Sequence, residues 1–250
     1  MNYIFQYIPI IATLTAAILA FLILEKIIKI KPLPVYISSP KREVLVSLIP
    51  YMCLVAFVIV VFCPFGSQNA TADNTGGEYN LQAALLQLLA NAIILAPFLI
   101  TLVIRKQSLK TMGVFKENLL PSVLGGLVVS AFACVFFNQA SLKFWLSSPT
   151  LFQLLAQLGV GFSEEMIFRG YLLSRFSAFF KRVPAELLTA GMFAIIHIPQ
   201  RLFNKYTPTE LIIDLVVLFI WGWVFNRIVR QIGNVTGIAI LHSVMNVVGA

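Results

Sequence analysis

The feature that most constrains this chain is a series of long apolar runs that recur from one end of the sequence to the other. Some reach the roughly 20 residues that a membrane-spanning helix needs, whereas others are shorter or carry ionisable groups. The runs cover residues 4–24, 44–62, 81–104, 119–138, 151–173, 184–198, 211–226 and 235–250. They predict an all-α polytopic membrane protein with about eight transmembrane helices, in a single membrane domain over residues 1–250.

Composition supports this fold class and excludes several others. Hydrophobic residues make up 59% of the chain and charged residues 11%, whereas soluble domains contain about 25% charged residues. A chain of this length has no interior large enough to bury so many apolar side chains. A water-soluble enzyme, a disordered chain and a nucleic-acid-binding module are therefore excluded, and no nucleic acid is expected as a partner.

The net charge of +8 is explained by its distribution along the chain. The segments 25–43, 105–118 and 174–183 carry five, four and three basic residues, whereas 63–80 carries none. Lys and Arg concentrate on the cytoplasmic side of membrane proteins. This alternation predicts that the basic segments are cytoplasmic and that the N-terminus lies outside. Membrane lipids are the partners that these segments predict.

Ionisable groups inside the membrane cost roughly 2.5–3.5 kcal/mol each on insertion scales and are functional candidates by default. The fifth run contains Glu164, Glu165 and Arg169, the sixth ends near His197, and the eighth contains His242. The chain has only two histidines, and both fall within predicted spans. An imidazole in a membrane helix can simply be a hydrogen-bond donor between helices, but a membrane protein has little structural use for imidazole at that depth.

The spacing of these residues is helical. Three pairs are separated by four residues and so share a helix face: Glu165 with Arg169, Phe193 with His197, and His242 with Asn246. Glu164 is rotated by about 100° from Glu165. We therefore expect Glu165 to form a structural ion pair with Arg169 while the Glu164 carboxylate faces a cavity.

Glu164, His197, His242 and Asn246 can meet at one buried site if their helices pack together. A buried carboxylate can take a proton from water, and a neutral imidazole can orient that water. Donors such as His242 and Asn246 can stabilise the oxyanion that forms when a carbonyl is attacked. Alternatively, Glu164, His197 and His242 could hold a divalent metal that activates the water. Both routes lead to hydrolysis of a peptide or amide bond.

The motifs Glu164-Glu165-x-x-x-Arg169, Phe193-x-x-x-His197 and His242-x-x-x-Asn246 resemble those of the CPBP family. These intramembrane peptidases include CAAX proteases and bacteriocin-processing enzymes, and they are related to the Ras-converting CAAX endopeptidase. The resemblance covers residues 150–250, which it implies form the catalytic core. Residues 1–149 are predicted to be N-terminal helices, and no role is assigned to them.

The resemblance implies a hydrolase, an endopeptidase that acts on a membrane-associated or lipidated CAAX-type peptide in the cytoplasmic membrane of a bacterium. Glu164 would be the catalytic acid/base that activates water, assisted by His197. His242 and Asn246 would bind the oxyanion. The residues that would support the site are Glu165, Arg169 and Phe193.

Two questions stay open at the level of sequence. The family is commonly labelled metalloprotease-like, but the His-Glu-x-x-His zinc motif does not occur in the chain, so the cofactor is either a divalent metal such as zinc or none. The alternative function is a non-catalytic membrane regulator or a bacteriocin-immunity-type scaffold of the same family. A secondary transporter that uses Glu164 as a proton site is a third possibility, but no inverted repeat supports it.

Overall fold

A computed structural model of the chain describes residues 8–28, 37–69, 80–137 and 141–249, and helices are the only regular secondary structure in these ranges. The all-α prediction is therefore confirmed for the described part. Its long helices follow the order of the apolar runs: α1 Ile8–Ile28, α2 Pro40–Asn69, α3 Leu81–Ile104, α4 Leu119–Phe136, α5 Ser148–Glu165 with its continuations Met166–Leu172 and Leu173–Phe179, α6 Arg182–Ile195, α7 Pro208–Ile232 and α8 Thr236–Val248. Short helices lie at Leu109–Met112, Leu142–Trp145 and Ile198–Phe203.

Four of the described helices are long and apolar enough to cross a membrane. They are Pro40–Val61 of α2, Leu81–Ile104, Leu119–Phe136 and Pro208–Ile232. Shorter apolar helices lie at Ile8–Ile23 and Thr236–Val248. The membrane class is thus confirmed, whereas eight spans and an outside N-terminus stay predictions.

The outer surface of the bundle is apolar, as lipid contact requires. On α3, large hydrophobic side chains that are more than a third exposed recur along the helix: Leu81, Leu85, Leu86, Leu89, Ile93, Ile100, Val103 and Ile104. Exposing such a surface to water would be unfavourable, whereas lipid tails solvate it without cost. The buried residues of α3 are fewer, and they face α5.

The ends of α7 are specified by local chemistry. Thr207 and Glu210 form a reciprocal capping box, and Pro208 occupies the first turn. Gly233 ends the helix in the left-handed conformation at φ 75°, which a residue without Cβ adopts at no steric cost. The apolar run had predicted only 211–226, because Arg227 and Arg230 interrupt the apolar pattern before the helix ends.

α8 packs against α4 on one side and α5 on the other. Glycines make these close approaches possible. A Cβ added to Gly237 would lie 1.8 Å from the carbonyl oxygen of Ser122 in α4. A Cβ added to Gly161 of α5 would lie 2.6 Å from the carbonyl oxygen of Ala239 in α8. The backbones of α4, α5 and α8 therefore touch directly, which is the packing mode of membrane helices with small residues at their interface.

The middle of α5 is a π-helix at Met166–Leu172, and Ile167, Tyr171 and Leu172 within it are fully buried. A Cβ on Gly170 would lie 1.9 Å from the carbonyl oxygen of Met112. The backbone that connects α3 and α4 therefore lies directly against the π-helix. Single π-helical turns are rare and frequently occur at functional sites. The apolar pattern of the sequence contains no signal for this turn.

A buried polar network joins the ends of α2, α3 and α5. Glu43 accepts hydrogen bonds from Arg105 Nε at 3.0 Å and from Gln107 Nε2 at 2.8 Å. Arg175 is fully buried and donates to the Thr111 carbonyl oxygen at 3.1 Å. The sequence had placed Arg175 in a loop over residues 174–183, which is wrong because α5 continues to Phe179. The network brings three of the predicted cytoplasmic segments together at one end of the bundle.

Candidate active site

The site forms where α5 and α8 are closest. Gly161 lets the two backbones touch, and three and four residues later Glu164 and Glu165 face His242 on α8. Next to them, the Ser163 hydroxyl donates to Asn91 Oδ1 at 2.7 Å and ties α5 to α3. The structure thus places the acidic motif of the fifth run against the histidine of the eighth.

Glu165 is the centre of this contact. One of its carboxylate oxygens, Oε1, lies 3.2 Å from Arg169 Nη1 and 2.8 Å from His242 Nδ1. The side chain of Glu165 is completely buried, and that of Arg169 nearly so. The expected ion pair with Arg169 is present, but Glu165 also holds an imidazole. Helical spacing could not predict this second contact, because His242 is 77 residues away from Glu165 in the sequence.

Aromatic rings enclose the ion pair and the imidazole. The Arg169 guanidinium carbon lies 4.1 Å from the centroid of the Phe193 ring and 5.4 Å from that of Phe225. Both phenyl rings meet His242 edge to face, with centroids 6.3 and 6.4 Å from the imidazole. Cation–π contacts of this kind stabilise a desolvated guanidinium. Phe225 was missed because one Phe in an apolar helix carries no signal of a site.

Glu164 differs from Glu165 in its surroundings. Its side chain is 24% exposed, and its Oε2 atom lies 3.8 Å from His242 Nε2. That separation is too long for a hydrogen bond, and Oε2 has no hydrogen-bond partner among the described residues. The carboxylate therefore keeps its capacity to accept a hydrogen bond from a water molecule or a substrate.

His197 lies just beyond α6, which ends at Ile195. The apolar run had placed it inside the sixth span, whereas the structure places it in the turn before Ile198–Phe203. Its Nδ1 atom lies 2.8 Å from the carbonyl oxygen of Phe193, so Nδ1 carries the proton and Nε2 is free to accept one. The Phe193 ring packs against both imidazoles, with centroids 4.8 Å from that of His197 and 6.3 Å from that of His242, so His197 belongs to the same site as His242.

Asn246 lies one turn beyond His242 on α8. Its Nδ2 atom donates to Gln157 Oε1 on α5 at 2.9 Å. Gln157 is seven residues before Glu164, so both lie on the same face of α5. Two cross-contacts thus connect α5 and α8 at this site, one at His242 and one at Asn246. Gln157 was missed because an amide in an apolar helix has no distinctive spacing.

The metal alternative can be tested against the donor atoms. Among the described residues, no group of three or more His, Cys, Asp or Glu side chains is arranged to hold a metal ion. His242 already uses Nδ1 for Glu165, and His197 uses its own Nδ1 for a backbone carbonyl. These contacts leave Nε2 of both rings available, as in metal-ligating histidines, so it is the arrangement of the described donor atoms that speaks against a metal centre at Glu164, His197 and His242.

Comparison with known proteins identifies the part of the chain that contains this site. Residues 146–248 match the family model described as Rce1-like, type II CAAX prenyl endopeptidase. This match confirms the resemblance expected from the three motifs, and it begins just before α5. No curated protein and no solved structure matches the chain.

Proposed function

We propose, from the premise that residues 146–248 are Rce1-like, that this protein is an intramembrane endopeptidase. Its substrate is a membrane-associated or lipidated peptide of the CAAX type, and its location is the cytoplasmic membrane of a bacterium. The observation that carries the proposal is the contrast between two adjacent carboxylates. Glu165 is completely buried, and its Oε1 atom lies 3.2 Å from Arg169 and 2.8 Å from His242, whereas Glu164 is 24% exposed and its contact with His242 is 3.8 Å long.

In the proposed reaction, Glu164 accepts a proton from a water molecule, and the resulting hydroxide attacks the carbonyl carbon of the scissile peptide bond. His197 assists by accepting a hydrogen bond from that water through Nε2. A positioned general base of this kind contributes about 10²–10⁴-fold to a rate. When the tetrahedral intermediate collapses, protonated Glu164 returns the proton to the leaving amine.

The negative charge that develops on the carbonyl oxygen needs donors. His242 Nε2 supplies one when the ring is protonated, and the Glu165 carboxylate at Nδ1 balances the charge of that imidazolium. Asn246 supplies the second through the N–H that does not bond to Gln157. Donors held in place before the reaction stabilise an oxyanion without reorganisation. Arg169 and Phe193 keep Glu165 and His242 in position.

The proposal is tested by comparing the peptides in membranes that contain the active protein with those in membranes that contain Glu164→Gln. A peptidase produces fragments or shortened C-termini that are absent with the variant. Identical peptide populations in both membranes, with equal amounts of folded protein, would contradict the proposed activity. Prenylated and unprenylated versions of any substrate found would then define the substrate class.

Replacing Gln157 with Leu is expected to lower kcat about tenfold and to change KM much less. The reason is that Asn246 loses the acceptor that orients its amide, and the loss of one such hydrogen bond is worth about 1–1.5 kcal/mol. Gln157→Glu keeps an acceptor at the same place and should retain most of the activity. Equal losses in both variants would contradict a positioning role, because a general packing defect does not distinguish them.

Removal of divalent metal is expected to leave the activity unchanged. Glu164 activates water directly in the proposed reaction, and the described donor atoms do not converge on a metal. The measurement is peptidase activity after treatment with a chelator and desalting, together with elemental analysis of the protein. Activity that disappears with the chelator and returns with zinc would contradict this part of the mechanism.

A further inference from the structure

A second group of charged residues lies where α5, α6 and α7 meet, and none of its members belongs to the candidate active site. The carboxylate of Glu186 is completely buried and contacts three guanidinium groups. Its Oε1 atom lies 3.1 Å from Arg182 Nε and 3.3 Å from Arg230 Nε, and its Oε2 atom lies 3.5 Å from Arg227 Nη1. A single acid in the first turns of α6 is readily explained by the helix dipole, but three arginines around it are not.

In the part of the chain that the structure describes, Glu186 is the one carboxylate that forms an ion pair with these arginines. One carboxylate compensates one of three positive charges, which leaves a formal charge of +2. The charged groups that act on Arg230 are Glu186, Arg182 and Arg227. The side chains of Arg182, Arg227 and Arg230 are 49%, 43% and 26% exposed. Each guanidinium has five N–H donors, so donors remain free on the outer side of the cluster.

A cavity of about 260 Å³ adjoins the cluster at Arg230. Its wall includes Ser174 and Ser177, and the Ser177 hydroxyl accepts a hydrogen bond from Arg230 Nη1 at 2.6 Å. Phe115 and Leu173 contribute apolar surface to the same wall. The site therefore combines excess positive charge, hydroxyl groups and an apolar surface. These features are complementary to a ligand with an anionic head and a hydrophobic body.

The position of the cluster indicates the source of such a ligand. Arg227 and Arg230 lie in the last two turns of α7, a helix long enough to cross the membrane. They are therefore at a membrane boundary, where phospholipid headgroups lie. Arginine recognises phosphate oxygens with two parallel N–H donors, and basic pockets between membrane helices bind anionic headgroups.

We propose that Arg182, Arg227 and Arg230, together with the adjoining cavity, bind the phosphodiester of an anionic phospholipid. The phosphate contacts the outer N–H groups of the arginines, and the apolar wall receives the first part of an acyl chain. Arg169 also lines this cavity, and it pairs with Glu165. The lipid therefore lies next to a residue that supports the candidate active site. The proposal does not depend on the peptidase activity.

The test measures the thermal stability of the full chain in uncharged detergent while phosphatidylglycerol or phosphatidylcholine is added. Phosphatidylglycerol should raise Tm in a saturable way and phosphatidylcholine should not, since a ligand that binds the native state stabilises it. Arg227→Gln should weaken the apparent affinity about tenfold, as expected for one lost charge-assisted hydrogen bond. The control is Arg42→Gln, an exposed arginine at the start of α2, which should retain the affinity.

One further variant and one further ligand test whether the site is specific for an anionic phospholipid. Glu186→Gln removes the single negative charge of the cluster and should tighten phosphatidylglycerol binding, an outcome opposite to that of a purely structural defect. Inorganic phosphate at the same concentrations should give little stabilisation, because it lacks the apolar body. Equal responses of the wild type and Arg227→Gln to phosphatidylglycerol would overturn the proposal, and so would equal stabilisation by inorganic phosphate.

Discussion

Glu164→Gln is expected to reduce the rate of peptide hydrolysis by about 10²–10⁴-fold, which is the contribution of a positioned general base. A glutamine side chain has nearly the shape of glutamate, but its amide cannot accept the proton of the attacking water. Glu164 makes no close ion pair, and its contact with His242 is 3.8 Å long. The substitution therefore removes the chemistry and leaves the packing of α5 intact.

The measurement is kcat/KM with a substrate peptide, accompanied by the Tm of each protein in detergent. Glu117→Gln is the matched control, since it makes the same chemical change at a side chain that is 53% exposed and pairs with Lys110. Its activity should equal that of the wild type. A Glu164→Gln protein with full activity would refute the proposed role. If the variant lost hydrolysis but kept every cellular effect of the protein, a non-catalytic scaffold would be the better description.

The second large effect is expected from Gly237→Ala, which should destabilise the fold by about 3 kcal/mol through overpacking. For a chain of this length, that corresponds to a fall of roughly 6–12 °C in Tm. The added Cβ would lie 1.8 Å from the Ser122 carbonyl oxygen, and this atom belongs to a helix backbone that cannot rotate away. α4 and α8 must separate to admit a single methyl group.

The same substitution should lower activity even in the molecules that remain folded. His242 is five residues beyond Gly237 on α8, so a displaced helix moves the imidazole relative to Glu164 and Glu165. A misplacement of about 1 Å can cost a factor of about 10² in rate. We therefore expect Gly237→Ala to change both Tm and kcat.

Gly191→Ala is the control for this prediction, because it adds the same methyl group to a helical glycine with no atom within 4 Å of the new Cβ. It should leave Tm unchanged or raise it, since alanine stabilises a helix interior by roughly 0.5–1 kcal/mol relative to glycine. If Gly237→Ala and Gly191→Ala proved equally stable, the close packing of α4 and α8 would not contribute as proposed.

Much of the fold and the acidic half of the site could be predicted because they depend on short-range patterns. An apolar run implies a buried or lipid-facing helix whatever surrounds it, and helical spacing indicates which side chains share a face. This sufficed for the order of the helices and for the Glu165–Arg169 ion pair. The α7 capping box follows from Thr207 and Glu210 alone, because its hydrogen bonds close within one turn.

Pattern-based prediction was less accurate wherever a helix stops or deviates. Arg227 and Arg230 interrupt the apolar run, but α7 continues through them because Glu186 compensates part of their charge. His197 lies in a turn rather than inside α6. The π-helical turn at Met166–Leu172 depends on the close approach of Gly170 to Met112. The arginines and the π-helical turn contact residues distant in the chain, whereas the turn at His197 comes just before Pro199, which interrupts a helix locally.

The amino-acid sequence determined that this protein belongs in a membrane, which ionisable residues fall in its apolar runs, and which pairs of them share a helix face. Only the tertiary structure decided that Glu165 holds His242, that Gln157 holds Asn246, and that Phe225 closes the site. The physical reason is that spacing within one helix is set by 3.6 residues per turn. Contacts between helices depend instead on where glycines such as Gly161 and Gly237 allow two backbones to touch.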